Sequence, residues 1–115
     1  MWKRWKRLAY RIEAIGCKSK QEIFEHLTYM VLHAPDFPAE DRMDLDLAFE
    51  CLEHGLKRIE ELDGRPAVVS VVAQLRAEFA RSRTLFDSDE VIAACHSLQD
   101  AEDILRPIRV KAAVA

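Results

Sequence analysis

Cys51 and His54 stand three residues apart, and Cys95 is followed directly by His96. Thiolate and imidazole are zinc-ligand types, so two such pairs could supply four ligands. Helical phase speaks against that set. Cys95 falls on an inward stripe, whereas His54 points away from the stripe of its own helix. The chain has no Cys-x-x-Cys, and it lacks the Glu-x-x-His unit from which di-iron bundles are built. Cys17 precedes Lys18 at a helix start, a setting that favours a thiolate, but it reads first as an ordinary inter-helix cysteine. Neither Gly-x-Ser-x-Gly nor a phosphate-cradling glycine loop occurs. The expectation is therefore no metal and no cofactor, and a metal- or thiol-based sensor ranks third among the readings.

The most specific pattern is His54-Gly55-Leu56-Lys57. It resembles the His-x-Leu-Lys heart of histidine-phosphotransfer domains, helical bundles that relay a phosphoryl group through an exposed histidine. The resemblance implies His54 as phospho-acceptor and Lys57 as the cation that steadies the phosphoryl oxygens. Phase agrees, with Leu56 inward and His54 opposite. The likeness covers these four residues and the helical topology. Arg58 and Ile59 then stand where the family has glycine and a small residue.

These side chains must be carried by helices. Phe37 to Gly64 reads as the longest helix, with Leu45, Ala48, Phe49, Leu52, Leu56 and Ile59 on one stripe. Gly64 is expected in the left-handed position after it, and Pro66 in the first turn of the next helix. Upstream, Ser19-Lys20-Gln21-Glu22 is a capping box that opens a helix from about Lys20 to Ala34. That helix has Ile23, Phe24, Leu27, Met30, Val31 and Ala34 inward and Glu22, His26, Tyr29 and His33 along its edge. Pro35 and Pro38 turn the chain. The helix opened by Pro66 carries Val68, Val71, Val72, Leu75 and Phe79 and is expected to end at Ser82-Arg83-Thr84. Asp87-Ser88-Asp89-Glu90 reads as a second capping box for a last helix with Val91, Ala94, Cys95, Leu98, Ala101 and Leu105 inward. A tail at 108–115 either packs along the bundle or frays.

Residues 1–18 read as a basic amphipathic helix, with Trp2, Trp5, Leu8, Ile12 and Ile15 on one side and Lys3, Arg4, Lys6, Arg7 and Arg11 on the rest. Its expected place is against the bundle rather than on a membrane surface or a nucleic acid. The fold expected is all-α: one domain of 115 residues, an antiparallel up-and-down four-helix bundle with an additional N-terminal amphipathic helix.

Net charge is −3, but it is unevenly spread. Residues 1–20 hold seven Lys/Arg against one acid, residues 21–64 twelve acids against three bases, and residues 65–115 seven of each. Three widely spaced cysteines fit a reducing, cytoplasmic setting. With no catalytic set complete, the first reading is a non-enzymatic interaction module: an adaptor, a regulatory protein or an immunity-type inhibitor of a basic partner. Its expected docking surface is the back of the 37–64 helix, formed by Met43, Asp44, Leu47, Glu50, Cys51 and His54, where apolar anchors sit in an acidic rim. The partner is another protein or a second copy. Phosphotransfer through His54 is the alternative.

Overall fold

A computed structural model describes Cys17 and residues 19–110. The basic helix expected at 1–18 lies outside the described residues, apart from Cys17, as does the end of the tail.

Within the described residues the chain is all-α. Four helices follow one another: α1 (Lys20–His33), α2 (Leu45–Leu62), α3 (Pro66–Asp87) and α4 (Val91–Leu105). Consecutive helices touch, and α4 closes back on α1. Cross-helix contacts show that neighbours run antiparallel. Ile23 lies near Gly55 and His26 near Ala48 between α1 and α2. Between α2 and α3, Asp46 meets Arg83 and Glu53 meets Arg76. Glu78 pairs with Ser97 and Ser82 with Ala94 where α3 meets α4.

The stripes read from the sequence form the core. Ile23, Leu27 and Met30 of α1, Ala48, Leu52, Leu56 and Ile59 of α2, and Leu98 and Ala101 of α4 are buried in one cluster. On α3 the buried run is Val68, Val72, Leu75, Phe79, Ser82 and Phe86, alternating four and three residues apart as one helical face requires. Small residues bring α3 and α4 together. The Ser82 hydroxyl donates to the Ala94 carbonyl at 3.0 Å, so the only polar atom it buries is satisfied.

The helix ends correct the sequence reading in three places. α2 begins at Leu45, not near Phe37. Pro38 leads into a 3-10 turn at Ala39–Asp41, Arg42 takes a left-handed conformation (φ 51°), and Asp44 caps α2 by accepting from the Leu47 amide at 2.8 Å. The longest helix is therefore α3, with 22 residues, not α2, with 18.

Gly64 is not left-handed, and a side chain there would meet nothing within 4 Å. The stop is made by Asp63, whose carboxylate accepts from the Arg65 amide two residues on, an Asx-type turn. Pro66 does occupy the first turn of α3.

At the other end, α3 continues past Thr84 to Asp87 because Phe86 has core to cover. The expected second capping box does not form, and α4 starts from Glu90 without a side-chain cap. Its residues are used instead to end α3. The Glu90 amide donates to Leu85 O and the Asp89 amide to Phe86 O, with Asp89 left-handed at φ 60°. This is a Schellman end with an aspartate where glycine is usual.

At the first capping box the Ser19 half forms, with Ser19 Oγ accepting from the Glu22 amide at 3.2 Å and donating to the Glu22 carboxylate at 3.4 Å. The tail packs as far as it is described. Lys20 Nζ donates to the carbonyls of Arg106 (2.7 Å) and Ile108, and Arg65 donates to that of Arg109 (2.7 Å). Two cations from distant parts of the chain thus hold three carbonyls, those of Arg106, Ile108 and Arg109, just past the end of α4. Arg65 is itself fixed by the buried carboxylate of Asp63 at 2.6 Å.

Candidate functional site

The residues expected to form the back face of α2 are placed in three different environments. Leu47 and Cys51 are buried, at 1% and 0% exposure. Met43 is half-buried and packs against the core. Only Asp44 and Glu50 stand open to solvent, and Asp44 is engaged as the cap of α2. The buried sector of α2 is thus wider than one stripe, because Leu47, Cys51 and Gly55 join the core-facing residues. Gly55 is the key to that width. A Cβ there would come within 2.8 Å of Cys17 Cβ and of Ile23 Cγ1, so the glycine lets the start of the described chain and α1 lie against the α2 backbone.

His54 is half-buried, and its Nδ1 is enclosed with no hydrogen-bond partner. That bears on nucleophilic chemistry. An imidazole attacks through the nitrogen that carries the lone pair, and the proton then sits on the other nitrogen. For attack by Nε2 the proton would sit on Nδ1, where no acceptor receives it, in contrast to the usual carbonyl or carboxylate partner. Lys57 is exposed, and Arg58 is paired with Glu61 at 3.3 Å.

The flank of α1 is a ring ladder. Tyr29 lies 5.0 Å from His33 and 5.6 Å from Phe37, centroid to centroid, and its hydroxyl donates to Asp41 at 2.7 Å. His26 donates from Nε2 to the Ala48 carbonyl at 2.9 Å. Burial lowers its pKa from 6.5, against the opposing pull of that hydrogen bond. These residues tie α1 and the 35–41 turn to α2, the edge role their phase suggested.

Burial favours the protonated form of two of the thiols. Burial, with neighbouring Cys51 and Glu22, raises the Cys17 thiol from 9.0 to about 12. Burial also raises Cys95, whose sulfur lies 3.9 Å from Val31 O. Among the described residues no group of three His, Cys, Asp or Glu side chains is arranged to hold a metal ion, and no helix is long and apolar enough to cross a membrane.

One constellation was missed in the sequence. An open groove of about 270 Å³ lies along the α2–α3 seam, lined by Phe49, Glu53, Arg76, Phe79, Ala80 and Arg83. Ion pairs frame it. Arg76 forks onto Glu53 through Nε and Nη (2.8–3.1 Å) and also reaches Glu60. Arg83 reaches Asp46 at 2.7 Å and Asp87 at 3.2 Å, with its guanidinium 5.8 Å from the centroid of Phe49. The hydrogen bond to Glu53 leads in raising the Arg76 pKa, so its charge is permanent. The legible signal was the sevenfold spacing: Asp46, Glu53 and Glu60 on one helix, Arg76 and Arg83 on the next, an antiparallel charge ladder two turns per rung.

No protein-family model, no curated protein and no solved structure gives a significant match to this chain.

Proposed function

We propose that the chain is a small non-enzymatic protein-interaction module, an up-and-down helical bundle that docks a partner through the acidic, solvent-facing side of α2. One observation carries this reading. Asp46, Glu50, Glu60 and Glu61 are exposed, with Glu53 half-buried, and the cations beside them, Lys57 and Arg58 on the same helix and Arg76 and Arg83 across the seam, number one fewer. A one-sided acidic surface raises the encounter rate with a basic partner and rejects acidic ones. With Leu47 and Cys51 buried, the apolar part of the docking face comes from Met43 and Phe49, both half-buried at its edge.

The interaction reading stands ahead of phosphotransfer because the enclosed Nδ1 of His54 has no acceptor. The test is in-cell cross-linking and capture in the native host, comparing the native chain with Glu50→Lys/Glu61→Lys. The charge-reversed chain should lose its captured partner while keeping its helical circular dichroism. Equal capture by both chains would remove the acidic side of α2 from the interaction. Phospho-label on His54 would replace this reading with the relay.

A further inference from the structure

The groove along the α2–α3 seam has a floor and a rim of different chemistry. Its floor is apolar: Phe49, Phe79 and Ala80. Its rim is ionic but unequal. Two guanidiniums, Arg76 and Arg83, and one carboxylate, Glu53, line it, and three further carboxylates, Glu60, Asp46 and Asp87, reach those arginines from beyond the lining. Each arginine is engaged by two acids, so neither is open to a negatively charged ligand. The carboxylates are acceptor-only and have lone pairs left over. Asp46 and Asp87 are the most open of them, with side chains 61% and 58% exposed. The field at the groove is therefore net acidic although two arginines line it.

Volume restricts what can sit there. About 270 Å³ falls below the ~300–1,000 Å³ of sites that enclose a small-molecule ligand. It suits one large side chain delivered by another polypeptide. Phe49 and Phe79 offer the aromatic surface that such anchors prefer.

We propose that this groove seats an aliphatic or aromatic side chain of a basic protein segment, whose flanking Lys or Arg side chains pair with Asp46 and Asp87. This rests on the interaction reading and names the seat and the chemistry of the partner. The ion-paired arginines act as fixed walls. Arg83 lies over Phe49 and holds one side of the opening, and Arg76 bridges α2 to α3 and holds the other. The anchor supplies the apolar contact, while the flanking cations supply register and on-rate.

The experiment uses the whole chain and three fluorescent 12-residue peptides: Lys/Arg flanks around a central Trp, the same flanks around Ala, and Glu flanks around Trp. Anisotropy reads affinity, and amide chemical shifts read location. The proposal expects the basic Trp peptide to bind at least tenfold more tightly than either control, with shifts centred on Phe49, Phe79 and Ala80. Ala80→Arg, at an exposed helical position that arginine tolerates, should weaken it at least tenfold with circular dichroism unchanged. Asp46→Asn/Asp87→Asn should weaken it and reduce its salt dependence.

Equal binding of the Ala peptide would reduce the effect to general charge attraction and overturn the groove. Shifts confined to other helices would overturn the groove yet leave the interaction reading standing, because binding would persist elsewhere. Concentration-dependent dimers that Ala80→Arg abolishes would mean that a second copy, not a foreign basic segment, is the occupant. Binding of no peptide would overturn the groove, and the interaction reading would fall with it only if the in-cell capture also came back empty.

Discussion

Gly55 leaves no room for a side chain beside Ile23: a Cβ on Gly55 would stand 2.8 Å from Ile23 Cγ1 and 3.0 Å from its Cδ1. Alanine is the better helix former by about 1 kcal/mol, so an exposed Gly→Ala change would stabilise α2. Here the added methyl must displace Ile23 and the Cβ of Cys17, and overpacking costs about 1–3 kcal/mol. Gly55→Ala should therefore lower stability by roughly 1–2 kcal/mol net in urea unfolding. Ile23→Ala should cost less in the Gly55→Ala background than in the native chain, giving a favourable coupling term in the double-mutant cycle. Strict additivity would show that the two sites do not press on each other.

Periodicity made the core legible, because burial repeats every three or four residues and one chain suffices to see it. Ile23, Leu27, Leu52, Leu56, Leu75 and Leu98 were all placed inward on that ground, and all are fully buried. Leu47 and Cys51 show where the method stops. A helix contacted from two sides buries a second stripe, and nothing local to α2 distinguishes that stripe from an exposed apolar face. The helix ends failed for a related reason. Asp87-Ser88-Asp89-Glu90 satisfies the pattern of an N-cap, but the same short polar residues also finish a helix, and the choice was made by Phe86 reaching the core. The groove was hidden because the residues that face each other across it, such as Glu53 and Arg76 or Asp46 and Arg83, lie far apart in sequence, and only their matching seven-residue spacing hinted at pairing.

Asp89 should be improvable. It occupies the left-handed C′ position of the Schellman end of α3, at φ 60°. A non-glycine residue there costs about 1–2 kcal/mol, somewhat less for aspartate. Asp89→Gly relieves that strain but adds freedom to the unfolded chain and removes an acid near the start of α4. The expected net gain is about 0.5 kcal/mol, read as a higher urea midpoint with an unchanged slope. A loss would mean that the charge near α4 matters more than the backbone strain.

His26 should make stability pH-dependent. Its folded pKa lies below its unfolded value of 6.5, chiefly through burial. The unfolded chain therefore binds the proton more tightly, and stability rises with pH across this window. The contribution is fully present above pH 6.5 and is lost as pH falls through the lower, folded value. His26→Gln can still donate to Ala48 O but does not titrate. Its urea midpoint should change less between pH 7.5 and pH 5 than that of the native chain. Parallel pH profiles would show that His26 is not the group responsible.

Cys17 should resist alkylation in the folded protein. With its thiol pushed up to about 12, the thiolate fraction at pH 8 is on the order of 10⁻⁴, against roughly a tenth for an ordinary cysteine. It is also 1% exposed. Iodoacetamide pulses followed by peptide mapping should label Cys17 in urea and leave it unmodified in buffer. Rapid labelling in buffer would mean that the Cys17–Gly55 contact opens readily, and the residue would return as a candidate reactive thiol.

His54 offers a substitution that separates packing from chemistry. Its Nδ1 is enclosed and unpartnered, and an unsatisfied buried polar atom costs about 1–3 kcal/mol. The ring is only half-buried, so part of that cost is spared. Leucine is a stronger helix former, fills similar space and needs no partner. His54→Leu should therefore raise stability by up to about 1 kcal/mol by urea unfolding and leave the in-cell capture of a partner unchanged. A destabilised His54→Leu would mean that the ring does find a partner in solution. An equally stable variant that has lost the partner would move the interaction surface around α2 to His54 itself.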